Sequence, residues 1–188
     1  MGHRMSTFAC MALAAPALML LGARAEAEEF SAKYSGFEEV GALNAETGAI
    51  LSDAKATLDL NLDRNALTLT FTLTYSGFAD PVTQAHIHFG KRHVPGGVMV
   101  FFCTNLNNGP AGTQPCPNPA PGETATVTGT IVPADVRAIG GQNVTAGDFD
   151  ALEDALDSDT AYGNIHTTNF PAGEIRGQIR RNDDKDHH

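Results

Sequence analysis

From residue 54 the chain alternates apolar and polar positions: Ala54, Ala56, Leu58, Leu60 and Leu62 fall two apart, with Lys55, Thr57, Asp59, Asn61 and Asp63 between and after them. Alternation of period two puts neighbouring side chains on opposite faces, so this run predicts a strand with one buried face. The turn residues Asp63, Arg64 and Asn65 follow. Alternation then resumes, with Leu67, Leu69, Phe71, Leu73 and Tyr75 on one side and Thr68, Thr70, Thr72 and Thr74 on the other. The two runs predict a β-hairpin. Short strands are predicted at 30–34, 84–89, 97–102, 124–132, 162–167 and 174–179, separated by Gly, Pro, Asn or Asp. One segment has a different period: DFDALEDALDS sets Phe149, Leu152 and Leu156 at helical spacing, with Thr145 or Asp148 placed to cap its start. The fold class that follows is all-β, an antiparallel Greek-key β-sandwich with one short helix.

The start of the chain follows neither period. MGHRMST is positively charged and precedes FACMALAAPALMLLG, an apolar run interrupted by Pro16 and shorter than the roughly 20 residues a membrane helix needs. Small residues recur in ARAEA, where a small-x-small cleavage site falls after Ala25 or Ala27. Residues 1–25 therefore read as an export signal peptide, 26–181 as one β-sandwich domain and 182–188 as a disordered, solvated tail. The expected location is the periplasm or the cell exterior, without membrane insertion.

Charge narrows the partners. The whole chain carries a formal −10, and cleavage would remove Arg4 and Arg24 but no acidic residue. Such a surface repels phosphate, which excludes nucleic acid as a partner and leaves cations as the compatible class. The acidic residues in and around the helix (Asp148, Asp150, Glu153, Asp154, Asp157 and Asp159) lack the spacing of an EF-hand loop and read as a solvated face. Beyond the signal, the cysteines are Cys103 and Cys116, separated by the turn-rich TNLNNGPAGTQP. In an oxidising compartment they are expected to form a disulfide.

Candidate chemistry lies with the histidines. In Gln84-Ala85-His86-Ile87-His88-Phe89, His86 and His88 share one face of a strand about 6.6 Å apart, while Ala85, Ile87 and Phe89 face the core. A metal bound there would sit outside the sheet and under loops. In AYGNIHTTNFPAGEIRGQI, Ile165 alternates with Asn164 and His166, so His166 lies on a polar face too. Ile175, Gly177 and Ile179 are expected to be buried, with Glu174, Arg176 and Gln178 opposite, where one could orient a ligand or meet an anion. Were these strands neighbours, His86, His88 and His166 would form a three-nitrogen site for one copper ion, with zinc as the alternative. His93 is either a fourth ligand or a loop residue, the loop position being favoured. Such a site is expected to lose metal below about pH 6, where protons compete for imidazole. No Gly-x-Ser-x-Gly elbow or phosphate-binding glycine loop occurs.

AHIHFG, GGVMVFF, the short helix and AYGNIHTTNFPAGEIRGQI, taken in order, resemble the hallmarks of the chordin-type CHRD domain over roughly residues 30–180. That resemblance implies a fold more firmly than a reaction. More distantly, His86, His88, His166 and Arg176 resemble the copper ligands and anion-guiding arginine of copper-zinc superoxide dismutases, themselves superoxide dismutase-like/immunoglobulin-like sandwiches. The dismutase likeness stops short of a His-rich zinc loop with its aspartate, and of a bridging histidine unless His93 serves.

Three readings follow. The first is an exported copper-binding protein with a mononuclear site, used in storage, delivery or protection, whose partners are the metal ion and another periplasmic protein. In it Arg176 and Asn164 support the site or bind an anion. The second is a copper-dependent oxidoreductase of the dismutase sort, and the third a metal-free extracellular protein-binding module. A role without catalysis is favoured.

Overall fold

The structure, a computed structural model, describes residues 1–2, 27–41 and 48–182. The proposed signal (Met1 and Gly2 apart) and the tail from residue 183, with His187 and His188, lie outside the described residues.

The hairpin forms as its alternation dictates. β2 (Lys55–Asp63) and β3 (Thr68–Ser76) pair antiparallel with Leu58 opposite Leu73 and Leu60 opposite Phe71. Asp63 Oδ1 accepts hydrogen bonds from the backbone of Asn65 and Ala66, each at 3.0 Å, and so closes the turn. Leu67, expected on the core side, is instead 41% exposed with φ 51°. It completes the turn in the left-handed region, and the ladder begins one residue later at Thr68.

The remaining strands are β1 (Glu28–Tyr34), β4 (Val82–Phe89), β5 (Gly97–Thr104), β6 (Thr124–Ile131), β7 (Ala161–Thr167), β8 (Ile175–Gln178) and β9 (Arg180–Arg181). They build two sheets, ordered β6-β3-β2-β1-β9 and β5-β4-β7-β8, with every pair antiparallel. The chain changes sheet after β3, β5, β6 and β8, so the sheets are interlocked halves of one sandwich, not consecutive meanders. Phe30, Leu58, Phe71 and Leu73 from the first sheet and Ala85, Ile87, Phe102 and Ile165 from the second are buried in one core, where the Phe71 and Phe102 rings meet at 4.7 Å. Burial of each large side chain there contributes about 1.5–3 kcal/mol. The expected Cys103–Cys116 disulfide ties the end of β5 to its following loop.

Helix α1 (Phe149–Asp157) buries Phe149, Leu152, Ala155 and Leu156. Of the two expected caps, Asp148 serves, accepting from Ala151 N at 3.1 Å. Its acidic side is more than a solvated face. Glu153 and Asp157 bind Arg64 of the β2–β3 turn at 2.6 and 2.8 Å, and Arg64 also meets Glu28 of β1 at 2.7 Å. Arg181 of β9 joins Glu28 and Asp157 in the same network. Those partners come from four remote segments, which alternation along a single segment does not reveal. Asn182, the expected first residue of the tail, still donates to Glu29. Among the described residues no helix is long and apolar enough to cross a membrane.

Candidate metal centre

The register of β4, β7 and β8 decides which side chains share a face. His86 lies opposite Asn164, His88 opposite Tyr162 and Gln84 opposite His166, while Asn164 lies opposite Arg176. Paired residues project to the same side, so these groups occupy the sheet face turned away from the core. Against β5, β4 shifts register on either side of His86 and Ile87, an irregularity of the kind that re-aims side chains. The His86 ring centroid ends 4.6 Å from that of His88 and 4.6 Å from that of His166. One nitrogen from each lies within 4.8 Å of the others. The trio lies on the outward face of its sheet, beneath loops. It is nevertheless thoroughly covered, with His86 2%, His88 8% and His166 6% exposed.

Hydrogen bonds fix the protonation of two rings. His88 Nδ1 donates to Gly96 O at 2.8 Å and His166 Nδ1 to Pro171 O at 3.0 Å, because a carbonyl oxygen can only accept. Burial, the largest cause, pushes both imidazoles down to about 4. At neutral pH each ring therefore carries a single N–H, and its Nε2 presents a lone pair. Both nitrogens border one atom: Asn164 Oδ1 lies 3.0 Å from His88 Nε2 and 3.1 Å from His166 Nε2. His86, also held well below its usual range chiefly by burial, leaves Nδ1 buried with no hydrogen bond. A polar group desolvated in this way costs free energy unless a partner is supplied. Three buried imidazoles with open nitrogens fit a borderline-soft cation.

Two loops and a 3-10 turn form the cover. Arg176 lays its guanidinium 3.3 Å from the Tyr162 ring centroid and donates through Nη2 to Lys91 O at 2.9 Å and Val94 O at 3.2 Å. Tyr162 also stacks parallel to His88 at 4.7 Å, and its hydroxyl accepts from Gly96 N. Gly96 is required there, since a Cβ would come within 1.8 Å of Phe89 O. From the other side of the site, Glu39 folds in behind the 3-10 turn Gly36–Glu38, 2% exposed, with Oε1 accepting from Val40 N and Gly41 N.

Of the residues singled out from the sequence, His86, His88, Asn164 and His166 are brought together. Arg176 reaches the same face, but it is 1% exposed and clamps the 90–97 loop where an anion-binding group would need to be open. His93 stands in that loop, outside the cluster, with Nε2 3.1 Å from Glu38. Glu174, expected on a polar face, is 4% exposed and accepts from Ser52 and Thr167. Alternation missed the parts played by Tyr162 and Glu39. The Ala-Tyr-Gly-Asn-Ile-His run held a signal for Tyr162, which is two residues from Asn164 on the same face, whereas nothing local marks Glu39.

These features define a two-sheet antiparallel sandwich whose second sheet carries a buried histidine cluster on its outward face. Residues 30–179 match the CHRD domain, and the chain belongs to that family. No curated protein and no solved structure matches it.

Proposed function

We propose that the mature chain is an exported protein that binds one copper ion through His86, His88 and His166, in storage, delivery or protection. One observation carries this reading. Three imidazoles converge with one nitrogen from each within 4.8 Å of the others, and Nε2 of two of them borders Asn164 Oδ1. Donors about 2.0–2.1 Å from one ion sit roughly 3–4 Å apart, so small ring movements close the trio. The affinity order for nitrogen donors favours copper over zinc, although zinc suits the same set. The disulfide supports an oxidising compartment, and the acidic chain supports attraction of cations.

Membership of the CHRD family favours a second reading, a protein-binding module outside the cell in which the histidines are structural. Dismutase-like catalysis draws less support, because Arg176 is buried and engaged with the loop and His93 stands apart. The deciding experiment is a Cu(II) titration of untagged mature protein, followed by electron paramagnetic resonance and metal analysis. One equivalent bound with nitrogen hyperfine structure supports the copper site. Failure to bind Cu(II) or Zn(II) leaves the protein-binding module.

A further inference from the structure

Nε2 of His88 and Nε2 of His166 both border one further atom, Asn164 Oδ1, and that atom is itself an acceptor. Backbone carbonyls of Gly96 and Pro171 consume the only N–H of each ring, so neither Nε2 has a proton to give Asn164 Oδ1 at 3.0 and 3.1 Å. Three lone-pair-bearing atoms therefore crowd together in a buried place.

Turning the amide over would not settle the matter simply. Its nitrogen faces Glu39: a Cβ placed on Gly173 would meet Glu39 Oε2 at 2.5 Å and Asn164 Nδ2 at 3.0 Å, so both atoms border the same small space. Burial raises the Glu39 carboxyl above its ordinary value, and Val40 N, Gly41 N, Arg176 and Asn164 oppose that rise; its Oε2 is buried beside the amide. Reversal would take the amide N–H away from that oxygen.

The distances have a direct reading in coordination chemistry. Two donors at about 2.0–2.1 Å from one ion, at angles of about 90–110°, stand roughly 2.9–3.4 Å apart. Both separations from Oδ1 fall in that range. Resting on the copper reading above, we propose that Asn164 Oδ1 is the fourth ligand, completing an N3O set with His86, His88 and His166, and that Glu39 holds the amide in that orientation. Asn164 lies directly opposite His86 on β4 and two residues before His166 on β7, so the strands deliver it without a change of fold. A site filled in this way retains its ion and offers no vacant position to a substrate, in keeping with storage or delivery.

The test uses untagged mature protein and its Asn164→Ala and Asn164→Asp variants, each loaded with one equivalent of Cu(II). Affinity is measured by chelator competition, the ligand set by paramagnetic resonance with proton double resonance in H2O and D2O, and folding by melting temperature. Asn164→Ala should bind copper about 10–100-fold more weakly and gain exchangeable proton couplings from a water in the vacated position. Asn164→Asp should keep an oxygen ligand without those couplings and bind at least as tightly as the parent. Unchanged affinity and spectrum in both variants would overturn the fourth ligand while leaving the three-histidine site standing. Failure of the parent to bind copper would overturn both. Should Asn164→Ala not fold, Asn164→Asp decides, since a charged ligand in the shell must shift the spectrum and a bystander must not.

Discussion

Each sheet of the sandwich turns one polar face away from the core, and the two faces have opposite fates. On the first sheet Thr57, Asp59, Asn61, Thr70, Thr72, Thr126, Thr128 and Thr130 lie in water, with cross-strand pairs such as Thr70–Thr130 and Thr72–Thr128. On the second, His86, His88, Asn164, His166 and Arg176 are nearly solvent-free. Both arise from the same period of two. The difference is the cover, since loops and the Gly36–Glu38 turn close over the second face while nothing comparable among the described residues closes over the first. Polar groups in water are cheap to keep, whereas buried ones persist only with partners. The covered face is therefore where chemistry is to be sought.

The inner and outer sides of the first sheet should respond most unequally. Leu58→Asp should cost about 5 kcal/mol or more, enough to unfold the domain, because it strands an unpaired carboxylate in the core. Thr70→Asp, beside Asn61 and Thr130 in water, should stay within about 1 kcal/mol. Urea unfolding of both variants is the check, and comparable midpoints would refute the register.

Between the two outer faces the contrast is in binding. His86→Ala, His88→Ala and His166→Ala should each weaken Cu(II) by at least about 100-fold, since a metal site missing one of its few ligands is incomplete. Thr72→Ala should leave binding unchanged. A full-strength copper signal in His166→Ala would reduce the site to a His-x-His chelate on β4.

Alternation made the hairpin, the core residues and the sharing of a face by His86 and His88 legible, because those depend on neighbours two apart on a strand. It went further with His166, whose polar side was readable before its strand was known to pair with β4. It failed where an environment is made by remote segments. Nothing near residue 176 tells that Arg176 will hold the carbonyls of Lys91 and Val94, and nothing near residue 39 tells that Glu39 will approach Asn164. The two-residue β9 is too short for any period to show. For the same reason burial of the histidines was invisible, and with it their acidity.

That burial alters the expected pH response. In the folded apo protein His88 and His166 protonate near 4, against an ordinary value of 6.5. Their folded values are depressed, so between pH 6.5 and 4 the unfolded chain takes up protons that the folded one does not. Stability is therefore full above 6.5 and falls as pH drops toward 4, by at most about 1.4 kcal/mol per pH unit for each ring. Urea unfolding of apo protein at pH 7 and pH 5 should show this loss, reduced in His88→Gln. Copper should also be retained well below pH 6, down toward pH 4, provided the fold holds. Release centred at pH 6 would mean that the rings are open to water.

The smallest effect belongs to a polar cluster of the other kind, partly exposed and built of ion pairs. Arg64 joins Glu28, Glu153 and Asp157, and its side chain retains 34% of its exposure. The Arg64 and Arg181 guanidiniums hold the Glu28 carboxyl down to about 2, with Arg64 the larger cause. The folded value is depressed, so this contribution is present above the ordinary 4.5 and lost as pH falls through about 2. Water and salt screen such pairs, so Arg64→Ala should cost only about 1 kcal/mol at low ionic strength, and about half of that in 1 M NaCl. By NMR the Glu28 carboxyl should titrate higher in the variant, short of its ordinary value because Arg181 remains. Copper affinity should not change, since none of these residues reaches the histidine face. A loss of copper binding in Arg64→Ala would show that the two clusters, which share no residue, are coupled.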